Sequence, residues 1–115
     1  MDLEQKANEL LEIAEKIANG CLPEYMHDEL YTVGAFDGLL FNMREPHVLF
    51  ELLTIICRKY EEIGPKKIKG YLYLLSELSY ATKTTELPVG MENIISENKK
   101  NKTAQSIAEW YRIKL

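Results

Sequence analysis

Apolar residues recur at steps of three and four along almost the whole chain, the spacing that lines one side of an α-helix. Leu3, Ala7, Leu10, Ala14 and Ile17 form the first stripe and predict an amphipathic helix over 2–19. It is expected to stop at Asn19-Gly20, since glycine accepts the left-handed conformation that ends a helix. Pro23, Pro46, Pro65 and Pro88 then punctuate the sequence. The first turn of a helix has N–H groups without intrahelical acceptors, so a residue lacking that group fits there and the four prolines predict helix starts. Helices are therefore expected over 23–43, 46–63, 65–82 and 88–98, with a last one over 103–113. Only LLTIIC has the composition of a strand, and there Leu49, Leu53, Ile56, Tyr60 and Ile63 continue a helical stripe. The expected class is all-α, with about six helices in one domain over 1–115.

Alternate prolines stand 42 residues apart on both counts. A shift by 42 sets Met26 on Ile68, Leu30 on Leu72, Tyr31 on Tyr73, Phe36 on Leu78 and Leu53 on Ile95. That period falls in the range of HEAT and armadillo repeats, in which helical hairpins stack and bury each other's apolar faces. Two architectures follow: stacked hairpins of an α-solenoid, or an irregular helical bundle. In either, the first and last helices cap the stack.

Within the second predicted helix, YTVGAFDGLLFN holds Gly34, Asp37 and Gly38 among apolar residues. Met26, Leu30, Val33, Phe36 and Leu40 mark its buried side, with Asp37 in or beside it. A glycine inside a helix costs about 1 kcal/mol relative to alanine, so the pair needs a compensating gain. One is structural: close approach by a neighbouring helix, or a kink at which Asp37 caps a new turn. The other is functional: a notch that admits a partner's side chain, with Asp37 receiving a cation.

Composition narrows the class. Hydrophobic residues at 46% and charged residues at 28% are those of an ordinary folded domain. No apolar run approaches the roughly 20 residues of a membrane span, and the N-terminal residues alternate charge with apolar groups, unlike a signal peptide. A cytoplasmic protein is expected, with Cys21 and Cys57 as reduced thiols and Cys57 packed inside a helix. Charge is uneven: residues 1–45 hold ten acids against Lys6, Lys16 and Arg44, a net of −7, whereas the remainder has eight acids against eleven bases, a net of +3. A field of that sign repels nucleic acid and draws in a basic protein; it also serves solubility alone.

Candidate chemistry is sparse. Glu24 and His27 have the i, i+3 spacing of half a di-iron site, but no second Glu-x-x-His exists. His47 is expected to be exposed in a first turn, no cysteine has an activating neighbour in sequence, and the glycines are too scattered for a phosphate loop. No catalytic residue, metal site or cofactor is expected. KKNK at 99–102 leads into a helix carrying Trp110 and Tyr111; with no recognition helix after it, the segment is expected to be a polar loop before a docking helix. Tyrosine is the surplus. On the second helix the positions opposite the core are Glu24, Asp28, Tyr31, Ala35 and Asn42, and on the fourth they are Lys66, Gly70, Tyr73, Glu77 and Tyr80. Tyrosine gives large contact area at small rotamer cost, so this acidic, aromatic side is a candidate partner-binding face. Two alternatives remain: capping helices cover the tyrosines, or the binding side is the other one, with His47, Glu51, Thr54, Arg58 and Glu62.

Over residues 30–82, the FDGLL stretch followed by a V-x-x-x-LL helix and a further helix resembles immunity proteins of bacterial polymorphic toxin and contact-dependent growth inhibition systems. The resemblance implies a non-enzymatic protein that binds and occludes a toxin domain, in many cases a nuclease with a basic surface. It also implies that exposed acids imitate substrate charge, a role that falls here on Glu24, Asp28 and Asp37. The oligomeric state is left open.

Overall fold

The computed structural model describes residues 2–18 and 45–115. The predicted second helix lies outside the described residues, and with it Cys21, the Gly34 and Gly38 pair and Asp37. The described residues form five α-helices and no strand: α1 (Leu3–Ala18), α2 (Pro46–Arg58), α3 (Ile68–Thr82), α4 (Met91–Glu97) and α5 (Lys102–Tyr111), with a 3-10 turn (Tyr60–Glu62) after α2. The all-α expectation holds for them. A radius of gyration of 13.3 Å is close to the ~13 Å of a compact domain of about this size.

Each helix begins and ends for a local reason. Asp2 opens α1, its carboxylate accepting from the Gln5 N–H at 3.2 Å. Pro46 sits in the first turn of α2, and Glu45 before it is extended (φ −75°, ψ 119°), as a residue preceding proline must be. The expected helix over 46–63 is shorter. After Arg58 the chain tightens into the 3-10 turn, with the Glu62 N–H on the Lys59 carbonyl at 3.0 Å and the Ile63 N–H on that of Tyr60 at 2.9 Å. Gly64-Pro65 cannot continue a helix, and the carboxylates of Glu61 and Glu62 sit badly at a helix C-terminus.

Pro65 and Pro88 act one step earlier than expected: each belongs to a reverse turn that feeds a helix rather than to the helix itself. The Lys67 N–H reaches the Gly64 carbonyl at 2.9 Å, and α3 starts at the next residue. The Met91 N–H reaches the Pro88 carbonyl at 3.2 Å, with Gly90 at φ 91°, ψ −17°, the third position of a type II turn. A Cβ on Gly90 would meet nothing within 4 Å, so backbone conformation alone requires glycine there. The polar loop expected before the last helix supplies its cap: the Asn101 side chain accepts from the N–H groups of Thr103 at 2.8 Å and Ala104 at 3.2 Å.

α3 is the hub. It packs against α1, α2 and α5, while α4 packs chiefly on α5. Gly70, Tyr71, Leu72, Leu74, Leu75, Ser76, Leu78, Ser79 and Thr82 are all buried, so α3 has apolar contacts around most of its circumference. That placement corrects the helical-wheel assignment of Gly70 to an outer face: a helix enclosed by three others has little outer face. Ala7, Leu10 and Ala14 of α1 are buried, the two alanines letting α1 lie close; Leu49, Leu52, Leu53 and Ile56 of α2, and Ala104, Ile107 and Ala108 of α5, complete the core.

Polar groups inside this core find acceptors within it. The Tyr71 hydroxyl donates to the Ile56 carbonyl at 2.7 Å, joining α3 to α2, and the Tyr111 hydroxyl donates to Ser79 Oγ at 2.9 Å, joining α5 to α3. Thr82 closes on the Ser79 carbonyl and Ser76 on that of Tyr73, both at 2.7 Å. No buried side-chain polar atom among the described residues lacks a partner.

Two helices end on residues in the left-handed conformation that glycine favours: Lys83 at φ 55° and Arg112 at φ 58°. An L-residue there carries steric strain of about 1–2 kcal/mol, partly offset because glycine gains freedom in the unfolded chain. Lys83→Gly and Arg112→Gly are therefore each expected to raise stability by about 0.5–1 kcal/mol, read as a higher urea midpoint at unchanged slope.

Candidate partner-binding surface

The sequence-derived face divides in two. Glu24, Asp28, Tyr31 and Asp37 lie outside the described residues. Tyr73, Glu77 and Tyr80 lie on α3 at steps of four and three, hence on one side of it. Tyr73 is half-buried against the core and Glu77 is half-buried, each engaged in an interaction of its own. Tyr80 differs: at the last turn of α3 its side chain emerges, and the residue is 40% exposed.

Tyr80 does not stand alone. The Tyr80 ring and the Trp110 ring of α5 meet in a T, centroids 5.3 Å apart and planes at 77°, an arrangement that sets the positive edge of one ring on the negative face of the other. Trp110 is fixed in turn by its indole N–H, which donates to the Thr84 carbonyl at 3.0 Å just beyond the end of α3. Burial, then the fields of Glu77 and Glu109, raise the Tyr80 phenol above its usual pKa. Both charges acting on that hydroxyl are negative. Spacing along α3 marks Tyr80, and pattern alone places Trp110 on a docking helix. No local pattern joins the two, because α3 and α5 come together only through tertiary packing; the one signal in the sequence is a tryptophan on the polar shoulder of an amphipathic helix.

The acidic surface of α1 is compensated. Every glutamate of α1 has a lysine: Glu9 pairs with Lys6 at 3.2 Å, Glu12 with Lys16 at 3.6 Å, Glu15 with Lys67 at 3.4 Å, and Glu4 with Lys59. Exposed pairs of this kind add little stability, of the order of 0–1 kcal/mol each, but they blunt the acidic character of α1. Between α1 and the start of α3 runs a groove of about 250 Å³ with walls of both signs, Glu12, Glu15 and Glu62 against Lys67. On the outer side of α2, His47, Glu51, Arg58 and Glu62 are exposed and Thr54 is half-buried, its hydroxyl donating to the Phe50 carbonyl at 2.9 Å. His47 is exposed as expected, beside the Glu45 carboxylate at 3.2 Å.

Cys57 is buried in α2, as expected, and burial pushes its thiol up to about 12. A sealed, protonated thiol and a histidine standing in solvent do not make a nucleophile pair. Among the described residues no three side chains of His, Cys, Asp or Glu are grouped as metal ligands, and no helix is long and apolar enough to cross a membrane. Comparison with protein-family models, with curated proteins and with solved structures finds no match for this chain.

Buried acids with raised pKa values give the fold an alkaline limit. The Cys57 thiol and the Tyr111 phenol, both held up to about 12 chiefly by burial, stay protonated in the folded chain while the unfolded chain ionises near their ordinary values. Their contribution is complete below those ordinary values and is lost as pH rises toward 12. Urea midpoints are expected to be level from pH 7 to 8.5 and to fall steadily above about 9. Over the same lower range native Cys57 is expected to resist a thiol reagent that reacts at once with the chain in denaturant; because Cys21 is a second thiol, the comparison uses Cys21→Ser.

Proposed function

We propose that this chain is an immunity protein, a non-enzymatic cytoplasmic inhibitor that binds a basic toxin domain, such as a nuclease, and occludes its active site. Three things support the reading. The FDGLL and V-x-x-x-LL stretches resemble such proteins; the acidic residues concentrate in the first 45 positions; and an exposed aromatic corner, Tyr80 on Trp110, supplies the kind of rigid anchor that carries binding energy at protein interfaces. The observation that carries most weight is the aromatic corner with carboxylates beside it, since it joins contact area to the sign of charge a basic partner needs.

The pairing of the α1 glutamates moves the expected site of electrostatic capture. With α1 compensated by Lys6, Lys16, Lys59 and Lys67, capture falls to Glu24, Asp28 and Asp37 together with Tyr31, continuing to Tyr73, Glu77 and Tyr80 through the repeat in which Tyr31 and Tyr73 are equivalent. In this proposal the whole chain has about six helices, as stacked HEAT-like hairpins or an irregular bundle. Neither a cofactor nor nucleic acid has a part in it.

A second reading, a small helical adaptor or regulatory subunit with another partner, is favoured by the same ion pairs, because a surface so compensated relies less on long-range attraction. Co-expression separates the two. The immunity reading expects that the chain copurifies with a small toxin domain encoded beside it and restores growth to cells producing that toxin, with association slowed about tenfold or more between low and physiological salt. Copurification without protection, or association indifferent to salt, supports the adaptor instead.

A further inference from the structure

The C-terminal ends of α3 and α5 meet at one corner: Tyr80 and Trp110 touch there, and Trp110 is tied to Thr84. From this geometry we infer that the corner is a receptor for a single basic side chain, an arginine or lysine, presented by a protein partner. The inference deepens the binding-protein reading and rests on it for the partner's being a protein.

Three independent features converge. Among the described residues Tyr80 is one of the few large hydrophobics left exposed, and its ring is held by a T-shaped contact instead of swinging free, so the exposed part of the ring is presented with little entropy left to lose. A cation over such a face gains about 0.5–1 kcal/mol at an exposed site. Glu77 lies one turn before Tyr80 on α3, Glu109 directly precedes Trp110 on α5, and both are close enough to act on the Tyr80 hydroxyl. Finally, the last carbonyls of a helix carry the negative end of its dipole, and here two helices end together. Lys83 and Arg112 cap those same ends; both are exposed and neither forms an ion pair among the described residues.

A guanidinium suits the corner better than an ammonium, because it stacks on an aromatic face while its N–H groups fork toward a carboxylate. Glu109 is the expected acceptor, being exposed and adjacent to the tryptophan. Tyr80 gives the ring, Trp110 holds it, and Glu109 supplies the counter-charge.

Trp110 is the only tryptophan in the chain, so its emission reports on this corner alone. The test titrates the intact protein with a fluorescein-labelled hexa-arginine peptide, following peptide anisotropy and, with unlabelled peptide, Trp110 emission. Expected are a saturable change in Trp110 emission, binding weakened about two- to fivefold by Tyr80→Ala and about tenfold or more by Glu109→Lys, and near-wild-type binding by Tyr80→Phe, which keeps the ring. Glu51→Lys, the same charge reversal on the exposed side of α2, is expected to weaken binding less than about twofold, roughly a third of the Glu109→Lys effect on a logarithmic scale or less. A hexa-glutamate peptide should leave the emission unmoved. Emission unmoved by hexa-arginine, Tyr80→Ala binding like wild type, or Glu51→Lys as damaging as Glu109→Lys would overturn the inference, the last meaning only diffuse attraction to an acidic protein. Circular dichroism melts confirm that each variant is folded, and Tyr80→Phe keeps the comparison decisive if Tyr80→Ala is not. Loss of the peptide effect alongside toxin protection removes the corner and leaves the immunity reading; a peptide effect without protection does the reverse.

Discussion

Enclosure of α3 is the constraint on which the rest of the described structure depends. A helix with Tyr71, Leu72, Leu74, Leu75 and Leu78 all buried cannot rest on a single neighbour, so α1, α2 and α5 must be arranged around it. The same enclosure dictates its polar residues. Ser76, Ser79 and Thr82 are tolerated because each closes on a carbonyl of the preceding turn or accepts from Tyr111, leaving none of them unpaired in a dry interior. α3 reaches solvent at its first turn through Lys69 and again at its last turn, where Tyr80 emerges. The candidate binding corner is thus a direct consequence of where the core ends.

Hydrogen bonds from buried or half-buried side chains join the helices. Tyr71 fastens α3 to the last turn of α2, and Tyr111 fastens α5 to α3. Asn98, after α4, reaches back to the Tyr60 hydroxyl at 3.1 Å and to the Ile94 carbonyl at 2.8 Å, tying the small C-terminal helices to the 3-10 turn. These contacts fix orientation more than they add energy, since each exchanges a bond to water for one inside the protein. The ion pairs of α1 act differently: they cancel charge at the surface and hold little.

Much of this was legible in the residues. Period-3.6 spacing is a local property, and it located α1 and α5 within two residues and α2 at its start, where Pro46 stands in the first turn. Legibility failed where one residue type serves two roles. Pro65 and Pro88 lie in reverse turns, and a proline ahead of a helix looks the same in sequence whether it occupies position one or stands three residues before it. Tyr60 and Ile63 continue the apolar spacing, but Glu61 and Glu62 between them oppose the helix dipole, and the chain leaves the α-helix before them. The Gly70 assignment failed because amphipathic spacing presumes one buried side, and α3 has several. At the candidate site, spacing found Tyr80, but the approach of Trp110 and Glu109 belongs to tertiary packing, which no local pattern encodes.

Native-state hydrogen exchange of the α3 amides measures the enclosure most directly. If α3 is the hub, the amides of Leu72, Leu74, Leu75 and Leu78 exchange only through global unfolding and share one denaturant dependence, while those of α4 open more cheaply. Exchange in α3 through openings as cheap as those of α4, with α1 or α5 retaining protection, would contradict the scheme, because it would mean that the outer helices hold together without the one they surround.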